Sequence, residues 1–153
     1  MNIARDRIAV LAFLASILAV NAIGLWPELS IGRVDLNDNV LHFTLIERVV
    51  QAVEQGENPL DNWSPEWTLG YPVLRTYQPL AHLLVAAVYF IAAKTVPLMT
   101  VFVWFRFLSV VLLPLSFFVA ARRMQVGLFG AAATALLAPL VSTNFLYGVE
   151  YGS

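Results

Sequence analysis

The chain has 153 residues, 59% of them hydrophobic and 12% charged, with a formal net charge of −1 and no cysteine. Soluble domains have an apolar fraction of about 45–50%, so a mean hydropathy of +0.75 excludes an ordinary water-soluble domain. The near-neutral charge excludes a general nucleic-acid partner, which needs a basic footprint, and the missing cysteines exclude a disulfide framework and thiolate metal sites.

In chain order, residues 8–26 form an apolar run close to the roughly 20 residues that cross a hydrocarbon core. Arg5 and Arg7 precede it and set the N-terminus on the cytoplasmic side by the positive-inside rule. A cleaved signal peptide also fits these arginines, with Val20-Asn21-Ala22 as a loose cleavage site, but the run is long for such a segment. We therefore read it as a retained first span.

Residues 27–78 then form a polar island holding eight of the ten carboxylates: Glu28, Asp35, Asp38, Glu47, Glu54, Glu57, Asp61 and Glu66. On this topology the island is an exoplasmic loop. Within it, residues 39–55 have apolar positions at helical spacing (Ile46, Val49, Val50, Val53), with Glu47, Arg48, Gln51, Glu54 and Gln55 facing away. Asn37 or Asp38 caps this amphipathic helix, and Gly56 followed by Pro59 ends it. Too polar to cross, it is expected to lie along the membrane surface.

Asp38 and His42 stand four residues apart and so project from one side of the first turn. That spacing suits a divalent metal held by Asp38, or a carboxylate beside an imidazole for acid–base work; the plainer reading, a helix cap and an interfacial histidine, is the one the local pattern favours. Further on, Trp63, Trp67, Tyr71 and Tyr77 fit an interfacial aromatic belt or a stacking platform for sugar faces, while Gly70 and Pro72 impose a defined turn.

Residues 79–93 form the second expected span, launched by Pro79 and anchored by Lys94; it is short for a full crossing, so residues 95–105 are expected to lie at the interface or to complete the crossing irregularly. Residues 96–121 read as an interfacial segment followed by a third span, with Arg106 at the inner boundary. Burying that arginine at mid-membrane would cost about 2.5–3.5 kcal/mol on insertion scales. This topology puts Arg122 and Arg123 outside, against the charge bias. Residues 127–147 form the fourth span, where Gly127 and Ala131 make a small-xxx-small pair. Pro97, Pro114 and Pro139 are expected to kink helices, and the carbonyls they free need protein neighbours.

The order of these parts (first helix, Asp-x-x-x-His, amphipathic helix ending in Gly, Trp-x-Pro, Gly-Tyr-Pro, Tyr-x-Pro-Leu, short spans) resembles the N-terminal region of large multispanning GT-C-type membrane proteins. It is most similar to the prokaryotic membrane family labelled "6-pyruvoyl-tetrahydropterin synthase-related" and its YfhO-type relatives, a label that carries no pterin chemistry here. GT-C glycosyltransferases take a sugar from a polyprenyl-phosphate donor and use an acidic residue of the first exoplasmic loop. The resemblance implies Asp38 as that acid, with Asp35 as substitute, acting as general base or as ligand of a divalent metal. It implies His42 in support, Arg75 on a donor phosphate, where a structural salt bridge fits at least as well, and Trp63, Trp67 and Tyr77 around the substrate. His82 departs from the pattern, since relatives carry an aromatic residue there.

The expected fold is thus all-α: a polytopic membrane protein of about four spans in a prokaryotic plasma membrane, the N-terminal part of a larger GT-C-like bundle. Its expected partners are the bilayer, a lipid-linked sugar donor and the remaining spans, without which the chain would be inactive. Two other functions fit the sequence: a non-catalytic membrane protein whose acidic and aromatic loop docks an envelope partner, and a small transporter or channel subunit. The latter is disfavoured because no acid lies inside the four expected spans.

Overall fold

The computed structural model describes residues 3–30, 38–65 and 70–142. Their regular elements are helices, as expected: α1 (Ile3–Leu25), α2 (Asp38–Glu54), α3 (Leu80–Ile91), α4 (Leu98–Val111), α5 (Leu113–Arg123) and α6 (Leu128–Ser142), with 3₁₀ turns at Trp26–Ser30 and Val73–Arg75. No strand occurs among the described residues, which carry a single antiparallel bridge, Ser64 to Tyr71. The chain divides into two compact units, Met1–Leu29 with Arg106–Ser153, and Ser30–Phe105.

One helix meets the length and apolarity needed to cross a membrane: α1 with its 3₁₀ extension, Arg5–Ser30, 26 residues long. α4 and α5 pass together as a pair bent by 44°. α3, at 12 residues, rises about 18 Å against a core of about 30 Å, so the second expected span is too short to cross. The Leu128–Pro139 stretch of α6 is apolar but also short, and residues 143–147 of the fourth expected span lie outside the described residues.

In the first unit α1 is apolar on all sides but buried along one stripe. Val10, Leu14 and Ile17, at four- and three-residue spacing, pack with Ala132 and Ala135 of α6, flanked by Phe118 and Leu128. Small residues permit this close approach, yet the expected Gly127–Ala131 pair is only half used. Ala131, Ala135 and Ala138 are buried, whereas a side chain added at Gly127 would meet open space.

Pro114, at the start of α5, cannot donate to the carbonyl of Val110 four residues earlier. Asn21 replaces that donor: its Nδ2 lies 2.9 Å from Val110 O and 3.5 Å from Val111 O. The bend at Leu112 therefore has the expected cause and the expected neighbour. Pro97 does not kink a helix but precedes α4, its carbonyl accepting from Val101 N at 3.1 Å, and α6 runs on past Pro139.

Two contacts fix which ends of this unit lie together. Arg106 Nη2 is 3.1 Å from Glu28 Oε2, both side chains being largely shielded from solvent, and Trp26 meets Phe107 edge to face, 6.2 Å between ring centroids. Arg106 thus stands at the C-terminal end of α1. At the other end, Arg122 shares one hollow with Asp6 and Arg7. This reverses the sequence reading, which put Arg106 at the boundary nearest Arg5 and Arg7, and Arg122 and Arg123 opposite.

In the second unit α2 is the centre. Leu45, Val49 and Val50 pack with Val73, Leu74 and Ala86, while Ile46 joins Val85, Val101 and Phe102. The apolar face of α2, expected to rest on the membrane surface, is therefore covered by α3, the 3₁₀ turn and the start of α4. Val53, expected on that face, is exposed. α2 ends as expected at Gly56, whose φ of 73° is left-handed; Glu57 N bonds Ala52 O at 2.8 Å and Gly56 N bonds Val53 O at 3.2 Å, the two bonds of a Schellman motif. The same pair of bonds closes α3 through Ala93 and Lys94 and α5 through Gln125 and Val126, with non-glycine residues at positive φ.

Candidate functional site

The loop between α2 and α3 is tied down by its own polar groups. Arg48 donates from Nε to the Trp63 carbonyl at 2.8 Å and from Nη2 to Glu57 Oε2 at 2.6 Å. Ser64 and Tyr71 exchange backbone bonds of 3.1 and 3.2 Å, Tyr71 and Thr76 join hydroxyls at 2.7 Å, and Lys94 pairs with Glu54. Gly70 has φ 93° and lies against the Trp63 indole, where a Cβ would come within 2.2 Å of the ring nitrogen. The defined turn expected at Gly70 and Pro72 is present, and its glycine is required both by backbone angle and by the indole.

This frame sets Tyr77 and His82 beside His42. His42 is half-buried on α2; His82, in the first turn of α3, is 2% exposed. Nδ1 of His42 lies 3.0 Å from Nε2 of His82, and the rings are nearly parallel, 26° apart with centroids 5.2 Å distant. Tyr77 leans on both, 5.8 Å from each.

The tautomers follow from the partners. His82 Nδ1 is 3.0 Å from the Gln78 carbonyl, which can only accept, so Nδ1 carries a proton. In a neutral ring Nε2 is then an acceptor, and His42 Nδ1 must donate to it. His42 Nε2 is left as the basic nitrogen of the pair. A third group that fixes a base's orientation is the arrangement catalytic dyads and triads use; here His82 and the Gln78 carbonyl hold His42. α3 is too short to cross a membrane, and burial pushes the His82 imidazole below its usual value, helped by the neighbouring His42, while the bond to Gln78 pulls it upward.

Asp38 is the first residue of α2 and exposed, where a carboxylate favours the helix dipole. No described residue pairs with it. Among the described residues no group of three or more His, Asp or Glu side chains is placed to hold a metal ion. Arg75 is exposed and bonded to Asp61 at 2.5 Å, so its guanidinium already has a carboxylate. Trp63 is largely exposed, with its indole against Gly70. Asp35 and Trp67 lie outside the described residues.

Of the expected site residues, then, His42 and Tyr77 come together, and Asp38 precedes His42 by one turn. Arg75 and Trp63 belong to the framework of the loop. His82 carries the part that sequence reasoning missed: in sequence it marks only a departure from a pattern, 40 residues from its partner. Comparison with family models, curated proteins and solved structures finds no match for this chain.

Proposed function

We propose that the chain is the N-terminal module of a membrane glycosyltransferase that moves a sugar from a polyprenyl-phosphate donor to an acceptor on the exoplasmic face. In this reading α1 and the bent α4–α5 pair cross the bilayer, and α6 packs along α1 within it. The charges of the first unit support that topology: Arg7 and Arg122 share one end, with Arg5 and Arg123 next to them in sequence, as the positive-inside rule requires, and the Glu28–Arg106 pair is at the other.

The observation that carries the chemistry is an exposed Asp38 carboxylate one turn ahead of a histidine held by a buried second histidine. Asp38 takes the proton of the acceptor hydroxyl as its oxygen bonds the anomeric carbon, and the bond from that carbon to the donor phosphate breaks with its electrons. His42, on the same side of α2, passes or receives that proton at Nε2. The chain alone is expected to be inactive, because the donor pocket is completed by further spans.

The test is sugar transfer by the full-length protein with Asp38→Asn. Removal of the base should lower turnover by about 10²–10⁴-fold at unchanged expression; turnover equal to wild type would remove the assignment. A non-catalytic docking loop is the second reading, favoured by the exposed Leu60, Trp63 and Tyr71. It requires that replacing Trp63 and Tyr71, and not Asp38, abolish recovery of a complex.

A further inference from the structure

Two hollows of the first unit share Phe129 as a wall. One, of about 440 Å³, is lined by Asp6, Arg7, Arg122 and the start of α6. The other, of about 350 Å³, lies between α1 and α6 and is lined by apolar groups that include Ala9, Phe13, Ala133 and Leu136. The first carries Asp6, Arg7 and Arg122 on its rim and the second is lined by apolar groups alone, so together they have the form of a headgroup site beside an acyl groove. From Gly127 to Leu136 the groove follows α6 for roughly 14 Å, about the depth of one leaflet. We propose that it holds one anionic phospholipid of the inner leaflet, its phosphate between Arg7 and Arg122.

Charge selects this occupant over a zwitterionic lipid. Arg7 and Arg122 flank the mouth, Arg5 and Arg123 neighbour them in sequence, and Asp6 is the one acid lining it. The Arg122 guanidinium is steadied by donating from Nη1 to Val126 O at 2.6 Å, and its other donors are left for a phosphate. Asp6 matches a headgroup that bears hydroxyls, since a carboxylate accepts from them. Gly127 keeps the entrance open, having no atom within 4 Å of where its Cβ would be. The inference rests on the membrane reading of α1, α4–α5 and α6, and not on sugar transfer.

The experiment is native mass spectrometry of the full chain in detergent, titrated with phosphatidylglycerol, with phosphatidylcholine of the same chains, and with glycerophosphoglycerol. Phosphatidylglycerol should be retained at least about fivefold better than phosphatidylcholine, and the chain-free headgroup should not be retained. Arg7→Gln with Arg122→Gln should lower retention of phosphatidylglycerol about 25-fold, near fivefold for each arginine. Ala133→Trp, at an exposed position in the groove, should lower it comparably with both arginines intact. Equal retention of the two lipids, wild-type retention by the double arginine variant, or no effect of Ala133→Trp would overturn the site. Retention of the headgroup alone would make it a phosphate site rather than a lipid site, and a chain soluble without detergent would remove the membrane reading and the lipid site together.

Discussion

Gly70 and Gly56 both sit at positive φ, 93° and 73°, but only Gly70 has a neighbour where a side chain would go. Alanine at Gly56 incurs backbone strain alone, roughly 1–2 kcal/mol. At Gly70 it must also displace the Trp63 indole, so Gly70→Ala should destabilise the unit more than Gly56→Ala and shift tryptophan emission, measured by denaturant unfolding. Equal effects, with unchanged emission, would show that the indole is not seated there. The histidine pair makes a second claim at this scale. With the His82 pKa depressed, the folded state binds its proton less readily than the unfolded one. The penalty is absent above the ordinary 6.5 and grows as the pH falls below it; a second proton on the pair also leaves neither ring nitrogen able to accept. Unfolding from pH 8 to 5 should therefore show stability falling below about pH 6.5 in wild type, and His82→Phe should flatten that slope. An unchanged slope would contradict the pairing.

The bend between α4 and α5 is a matter of one freed carbonyl. Asn21→Leu strands Val110 O in an apolar setting, at about 1–3 kcal/mol. Pro114→Ala restores a backbone donor to the same carbonyl and should make Asn21 dispensable. Unfolding of the four members of the Asn21/Pro114 cycle should give a coupling between about 0.5 and 3 kcal/mol; strictly additive effects would show that Asn21 does not serve that carbonyl. The proline and its need were legible in the sequence, but the donor, 89 residues away, was not. α2 divides in the same way. Its ends are written locally in Asp38 and Gly56, and its apolar period shows most of the buried face. Period alone does not say where α3 and the 3₁₀ turn pack, so Ala52 is buried and Val53 exposed, where the spacing had put Val53 inside.

For the whole molecule, sequence and structure part over two arginines. The sequence reading set Arg106 at the boundary nearest Arg5 and Arg7, whereas it pairs with Glu28 at the other end of α1, and Arg122 shares a hollow with Asp6 and Arg7. An ion pair between residues 78 apart is supplied only by folding. The site was half legible for a similar reason: Asp38 and His42 are a local spacing, whereas His82 reaches His42 only because α3 packs on α2. Central to the proposed function is that α1 crosses the membrane, with Arg7 and Arg122 at its cytoplasmic end and the Glu28–Arg106 pair at the other. The sequence has no cysteine, so this is directly measurable by labelling Pro27→Cys and Met124→Cys, both at exposed positions, with a membrane-impermeant maleimide. In intact cells the Pro27→Cys chain should label and the Met124→Cys chain should label only after permeabilisation; labelling of both from the same side would contradict the crossing.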